Sequence, residues 1–146
     1  MRALVARDLA DSKVADISAD RRFATAYNAA LQAANMAIAC AGYRVTAKSG
    51  HHKIAIDSAK LALGRIADTY ADYFERCRRK RNLIDYTRSS VATDTEADEI
   101  VRQVTVDALG RLVVPGFLSN HRAVHFASIR PSVAVRGCNL LFIPQQ

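Results

Sequence analysis

Between Ser18 and Gly42 the chain places Phe23, Tyr27, Leu31, Ala34 and Ile38 at steps of four, four, three and four residues, the spacing of one apolar stripe along an α-helix. Ser18 suits the capping position, and Asp20 lies in the first turn, where a negative charge meets the positive end of the helix. Gly42 suits the C-terminal stop. The pattern predicts a helix over 19–41. A helix with one apolar stripe gains most of its stability by burying that stripe against other elements. Alanine, which loses least on entering a helix, dominates the first two thirds of the sequence, so the expected fold is mostly α.

The same reasoning extends along the chain. Leu4, Val5, Leu9, Val14 and Ile17 predict a short first helix from Met1 to about Ile17. No capping residue precedes it, and we expect that upstream residues are missing from this form. Residues 43–50 read as a connecting loop, followed by a third helix over His51–Leu63 that Gly64 ends. A fourth helix is expected over Arg65–Thr87, with Tyr70, Tyr73, Phe74 and Cys77 as a core stripe. Thr93 and Glu96 have the form of a capping box, and Ile100, Val101, Val104 and Leu109 supply the apolar face of a fifth helix ending near Gly110.

Beyond Gly110 the character changes. Leu112–Val114, Val124–Ile129 and Ser132–Val135 are short β-favouring stretches broken by Pro115, Gly116, Asn120, Pro131 and Gly137. The expected organisation is a helical domain over 1–110 and a C-terminal extension over 111–146 of short-stranded or irregular structure. A chain of 146 residues suits one ordinary domain plus such an appendage.

Charge is divided unevenly between the two parts. Of the net charge of +7, residues 108–146 contribute four arginines and no acid, while residues 1–107 carry 17 cations against all 14 acids. An acidic partner is indicated in general terms, whether nucleic acid, nucleotide or acidic protein. Cys40, Cys77 and Cys138 are odd in number and far apart, which points away from a disulfide framework or a zinc site and toward a reducing cytoplasm. His121 and His125 share a face only if that stretch is helical, with Cys138 alone to help them, so no metal and no cofactor is expected. No apolar run approaches the roughly 20 residues of a membrane span, so a cytoplasmic protein with no membrane partner is expected.

The run RRKRNLIDY at 78–86 carries the densest chemistry. Arg78, Arg79, Lys80 and Arg81 step about 100° apart and ring their helix, so a single acidic neighbour cannot neutralise all four, and an anion is their natural partner. Asn82, Asp85 and Tyr86 share a face one turn high, a candidate site. The plainer reading is a solvated basic face, with Arg81 and Asp85 forming an i,i+4 ion pair. Tyr86 can serve as acid, base stacker or nucleotidyl acceptor, or can simply pack at the helix end. His51 and His52 open a helix, where a histidine can cap it, contact an anion or line a cleft. They point about 100° apart and are unsuited to joint metal binding. Tyr27 and Asn28 read as a core aromatic and its polar neighbour.

Taken in order, DRRFATAYNAALQAANMAIACAGYR at 20–44, HHK at 51–53 and RRKRNLIDY at 78–86 resemble a bacterial branch of the HEPN superfamily over roughly residues 5–107. The resemblance implies an all-α bundle of four to five helices, paired as a homodimer so that two Arg-polar-x-x-x-His signatures, each near the start of a late helix, face one cleft. It implies metal-independent ribonucleases, often toxins paired with a nucleotidyltransferase-type antitoxin, or relatives that bind RNA or nucleotides without cutting. It also implies that the helix holding Tyr27 and Asn28 lines the subunit contact. Arg81 matches the signature arginine, Asn82 the polar residue, and Tyr86 stands where the histidine belongs, making Arg81, Asn82 and Tyr86 the candidate catalytic set. Arg78, Arg79, Lys80, His51 and His52 are the candidate phosphate or RNA contacts.

Tyrosine titrates near 10 and is a poor base beside histidine, so the sequence leans toward binding over cleavage. Three readings follow. The first is a HEPN-like protein that binds RNA or nucleotide phosphate in a toxin–antitoxin or defence setting. The second is an endoribonuclease in which Arg81 stabilises the phosphate and Tyr86 or a histidine such as His51 moves the proton. The third is a protein-interaction module that uses no nucleic acid.

Overall fold

The computed structural model of the protein describes residues 2–40, 42–46, 50–63, 68–86, 89–106 and 140–142. Among these the architecture is all-α: α1 (Arg2–Asp11), α2 (Ala19–Cys40), α3 (His51–Leu63), α4 (Asp68–Tyr86) and α5 (Asp94–Val106). Two short strands, β1 (Tyr43–Val45) and β2 (Leu140–Phe142), accompany them. The five expected helices are present. Gly64, Arg65, Thr87, Leu109 and Gly110 lie outside the described residues, as do the three expected β-favouring stretches beyond Gly110.

The central helix is α2, which packs against all four of the others. Its alanines make this possible: Ala26, Ala29, Ala30, Ala33 and Ala37 are buried and let neighbours approach closely, while Phe23, Tyr27 and Met36 fill the spaces between. Phe74 and Cys77 from α4 and Ala97, Ile100, Val101 and Val104 from α5 complete the main core, with Tyr70 and Tyr73 packed at its edge. Burying a large apolar side chain of this kind contributes roughly 1.5–3 kcal/mol. A second cluster joins Leu31, Ala34 and Ile38 of α2 to Ala55 and Ala59 of α3.

The helix ends explain the boundaries. The Arg21 amide donates to Ser18 Oγ at 3.4 Å, the expected N-cap of α2. Gly42 follows with φ +83°, its amide donating to the Ala39 carbonyl at 3.0 Å. At α5 the capping box is reciprocal: the Glu96 amide donates to Thr93 Oγ1 at 3.2 Å and the Thr93 amide to Glu96 Oε2 at 2.9 Å.

The first helix is shorter than its sequence pattern suggests. It ends at Asp11, where the Ser12 hydroxyl donates to the Leu9 carbonyl at 2.9 Å and tighter turns follow through Lys13 and Val14. Val14 and Ile17 are exposed, so no buried surface draws the helix further. Residues 43–45, expected as loop, form β1, which pairs antiparallel with β2 in the register Tyr43↔Phe142, Arg44↔Leu141 and Val45↔Leu140.

Two polar clamps fix the helices relative to one another. Asp20, in the first turn of α2, accepts from the amides of Ser90, Val91 and Ala92 at 2.6, 3.0 and 2.7 Å and so holds the segment before α5. Arg22 donates through Nε to the Ser12 carbonyl at 3.3 Å, and its guanidinium pairs with Asp94 at 3.2 Å and with Asp98. The end of α1, the start of α2 and the first turn of α5 thus meet at one guanidinium.

Candidate functional site

α3 and α4 run antiparallel. Lys60 near the end of α3 pairs with Asp68 at the start of α4 at 3.2 Å, and the opposite ends bring His51 and His52 toward the second half of α4. Tyr27 of α2 stands behind this junction, 1% exposed, with its hydroxyl 3.5 Å from His52 Nδ1. The rings of His51 and His52 meet edge to face with centroids 4.4 Å apart. Gly50, with φ +81°, sits just before α3, and its carbonyl accepts from the Ile54 amide at 3.2 Å. Only a residue tolerant of left-handed backbone turns the chain here and aims the positive end of α3 at this junction.

The electrostatics of the junction come from α4. Burial is the main reason that the His52 imidazole titrates far below its ordinary range, at about 4, and the charges of His51, Arg81 and Arg78 push it the same way while Asp85 opposes them. His52 is therefore neutral at physiological pH. Burial raises the Tyr27 hydroxyl well above the ordinary tyrosine range, with Arg78 and Arg81 pulling against it. Both groups sense the same two guanidiniums, which places Arg78 and Arg81 at the inner face of α4 against the start of α3.

Each of the four cations of the basic run is matched by a carboxylate of the chain itself, and, as expected, no single acid serves all four. Arg78 makes a bidentate contact to Glu75, Nε to Oε2 at 2.8 Å and Nη2 to Oε1 at 2.9 Å. Arg79 reaches the same Glu75 at 3.2 Å. Lys80 pairs with Glu96 of the α5 capping box and lies 6.0 Å from the Phe23 ring centroid, so it staples α4 to α5 and α2. Arg81 holds Asp85 through Nη1 at 2.5 Å. Three acids suffice because Glu75 serves two arginines from one turn earlier and because α5 supplies a partner that helical spacing within α4 does not reveal. Paired by hydrogen bonds from Arg78 foremost, and from Arg79, the Glu75 carboxyl is held down at about 2.

These pairs differ in what they leave free. The fork of Arg78 is occupied by its bidentate partner. Arg81, 20% exposed at its side chain, uses Nη1 for Asp85, while its buried Nε has no partner. A guanidinium has five N–H donors, so Arg81 retains donors for an additional acceptor.

Of the candidate residues, Arg78, Arg81, His51 and His52 come together. Lys80 faces α5, and Arg79 is 73% exposed on the outer side. Asn82 is half-buried in the last turns of α4. Tyr86 is 81% exposed, which overturns the packing role considered for it. The motif Arg81–Tyr86 occupies the end of α4, whereas the family pattern has its signature near a helix start. Two residues of the junction were not singled out as site residues: Glu75, legible from its i+3 and i+4 spacing to Arg78 and Arg79, and Tyr27, whose place beside His52 depends on how α2 meets α3. Among the described residues no three His, Cys, Asp or Glu side chains gather as metal ligands, and no helix is long and apolar enough to cross a membrane. His121, His125 and Cys138 lie outside the described residues.

No family model matches the chain, and no curated protein and no solved structure matches it.

Proposed function

We propose that this is a HEPN-like, RNA- or nucleotide-phosphate-binding protein that works as a cytoplasmic homodimer in a toxin–antitoxin or defence setting, with Arg81 as the principal phosphate contact. The observation that carries this reading is the convergence of Arg81, Arg78 and the start of α3 on neutral His52, with the Arg81 Nε unpartnered. A phosphate seated there meets donors from two helices and the positive end of α3. It competes with Asp85 for Arg81, a pair whose side chains are 20% and 29% exposed.

The test is fluorescence anisotropy of a labelled single-stranded RNA across a salt series. Binding through phosphates makes the logarithm of affinity fall linearly with that of salt, by about 0.7 per phosphate on a single strand. Arg81→Ala is expected to weaken binding and flatten that slope by about one phosphate. Binding that is absent, or indifferent to both salt and Arg81, removes the reading. Sedimentation over a range of concentrations reads the dimer.

A second reading, a metal-independent endoribonuclease, is favoured only by the place of the His52 imidazole beside Arg81, since a ring that titrates near 4 is a weak base for a ribose 2′-hydroxyl. In this version His52 takes the part expected of Tyr86 or His51. RNA cleavage in EDTA, with 2′,3′-cyclic phosphate ends, lost in both His52→Ala and Arg81→Ala, supports it. RNA left intact at micromolar protein rejects it.

A further inference from the structure

Along the outer side of α4, Arg79, Leu83 and Tyr86 stand at i, i+4 and i+7 and so line one face of the helix. All three are exposed: Arg79 at 73% of its side chain, Leu83 at 49% and Tyr86 at 81%. Arg76, three residues before Arg79, is exposed on the same side, with Tyr73 under its guanidinium 5.7 Å from the ring centroid. The stripe therefore runs from cations to an aliphatic side chain to a phenol ring standing almost wholly in water. A large aromatic group left so exposed at the end of a helix gains little for the fold, and among the described residues the core of Phe74 and Cys77 lies on the opposite side of α4.

We infer that Tyr86 is a stacking platform for an unpaired base, so that the ligand class of this protein is single-stranded nucleic acid. The inference rests on the phosphate-binding reading of Arg81 and adds the class of strand to it. Bases inside a duplex are already stacked and offer no face to a side chain on a helix, whereas a single strand can lay a base on an aromatic ring while nearby cations track its phosphates. Charge favours a polyanion over a protein: the chain carries +7, and Arg76 stands exposed on the stripe beside Arg79, which shares Glu75 with Arg78. Size points the same way. Leu83 and Tyr86 are only two side chains, far short of the roughly 800 Å² per partner in a stable protein interface.

The experiment compares binding of a labelled single-stranded oligouridine with binding of an RNA duplex of equal length, for the wild type and for Tyr86→Phe, Tyr86→Leu, Tyr86→Ala and Arg81→Ala. Stacking requires a π-face and no hydroxyl, so Tyr86→Phe is expected to bind within about twofold of wild type. Loss of one stacked base, about 1–3 kcal/mol, lowers affinity roughly 5- to 150-fold in Tyr86→Leu and Tyr86→Ala. The duplex is expected to bind more weakly than the single strand and to be indifferent to residue 86. Equal affinity for the two RNAs, wild-type binding by Tyr86→Leu, or loss in Tyr86→Phe equal to that in Tyr86→Ala overturns the stacking role. If Arg81 dependence persists in those cases, the phosphate reading stands without it. Absence of binding, or indifference to Arg81→Ala, overturns both. A change of sedimenting mass in Tyr86→Ala without RNA assigns the stripe to a second copy of the chain and also overturns the inference.

Discussion

The guanidinium of Arg81 is held by the carboxylate of Asp85, one turn further along α4, at 2.5 Å. That contact occupies Nη1 and sets a negative charge beside the proposed phosphate site, while Nε stays unpartnered. Asp85→Asn removes the competing charge and keeps a side chain of the same size. We expect RNA affinity to rise at least about twofold, since a pair this far out of water is worth no less than an exposed one. Melting temperature should change little, and weaker RNA binding in Asp85→Asn would mean that the carboxylate positions Arg81 for its ligand.

His52 should report the junction directly. Its folded-state value of about 4 lies below the ordinary 6.5, so the stability it contributes is present above about 6.5 and is lost as pH falls from there toward 4. A ring-proton NMR titration is expected to give a midpoint near 4. Arg81→Ala removes one of the positive charges and should move the midpoint upward, though not to the ordinary value, because burial is the larger cause. A midpoint above 6 in the wild-type protein would contradict the packing of His52 against Tyr27 and α4.

Glu75 has the same sign in a lower window. Held at about 2 against an ordinary 4.5, its contribution is full above about 4.5 and is lost as pH falls toward 2. Denaturant midpoints between pH 5 and 2.5 should therefore fall less steeply in Glu75→Gln than in wild type, from a lower starting stability at pH 5. Parallel curves would show that Arg78 and Arg79 lend the carboxylate nothing.

Asp20 is the acceptor for three successive backbone amides ahead of α5, in a segment where Ser90 adopts φ +59°. Asp20→Ala leaves those donors without their carboxylate and removes a favourable charge from the first turn of α2. The expected loss is about 2–3 kcal/mol in denaturant unfolding, with Asp20→Asn intermediate. A loss below half a kcal/mol would show that water replaces the carboxylate without cost.

The legible part of the fold was local. Ser18, Gly42 and the Thr93–Glu96 box mark helix ends through contacts spanning no more than four residues, and the structure makes those contacts. The bounds His51–Leu63 were readable because glycines flank that apolar stretch. What escaped depends on residues far apart in sequence. Lys80 meets Glu96 only once α5 folds back on α4, and Tyr27 meets His52 only through the packing of α2 on α3. The halting of α1 at Asp11 reflects the lack of any buried surface for Val14 and Ile17, which periodicity does not register. At the candidate site the i,i+4 spacing of Arg81 and Asp85 announces their pair, and the i+3 and i+4 spacing of Arg78 and Arg79 from Glu75 announces theirs.

The β1–β2 ladder carries a consequence for the order of assembly. Tyr43 pairs with Phe142, 99 residues further on, so this ladder closes a longer loop than the 76 residues between Arg22 and Asp98. The helices carry the buried core and should condense first, with the strand pair joining after them. Until then β1 is an unprotected edge, and a newly made chain is open to capture there by any other extended segment.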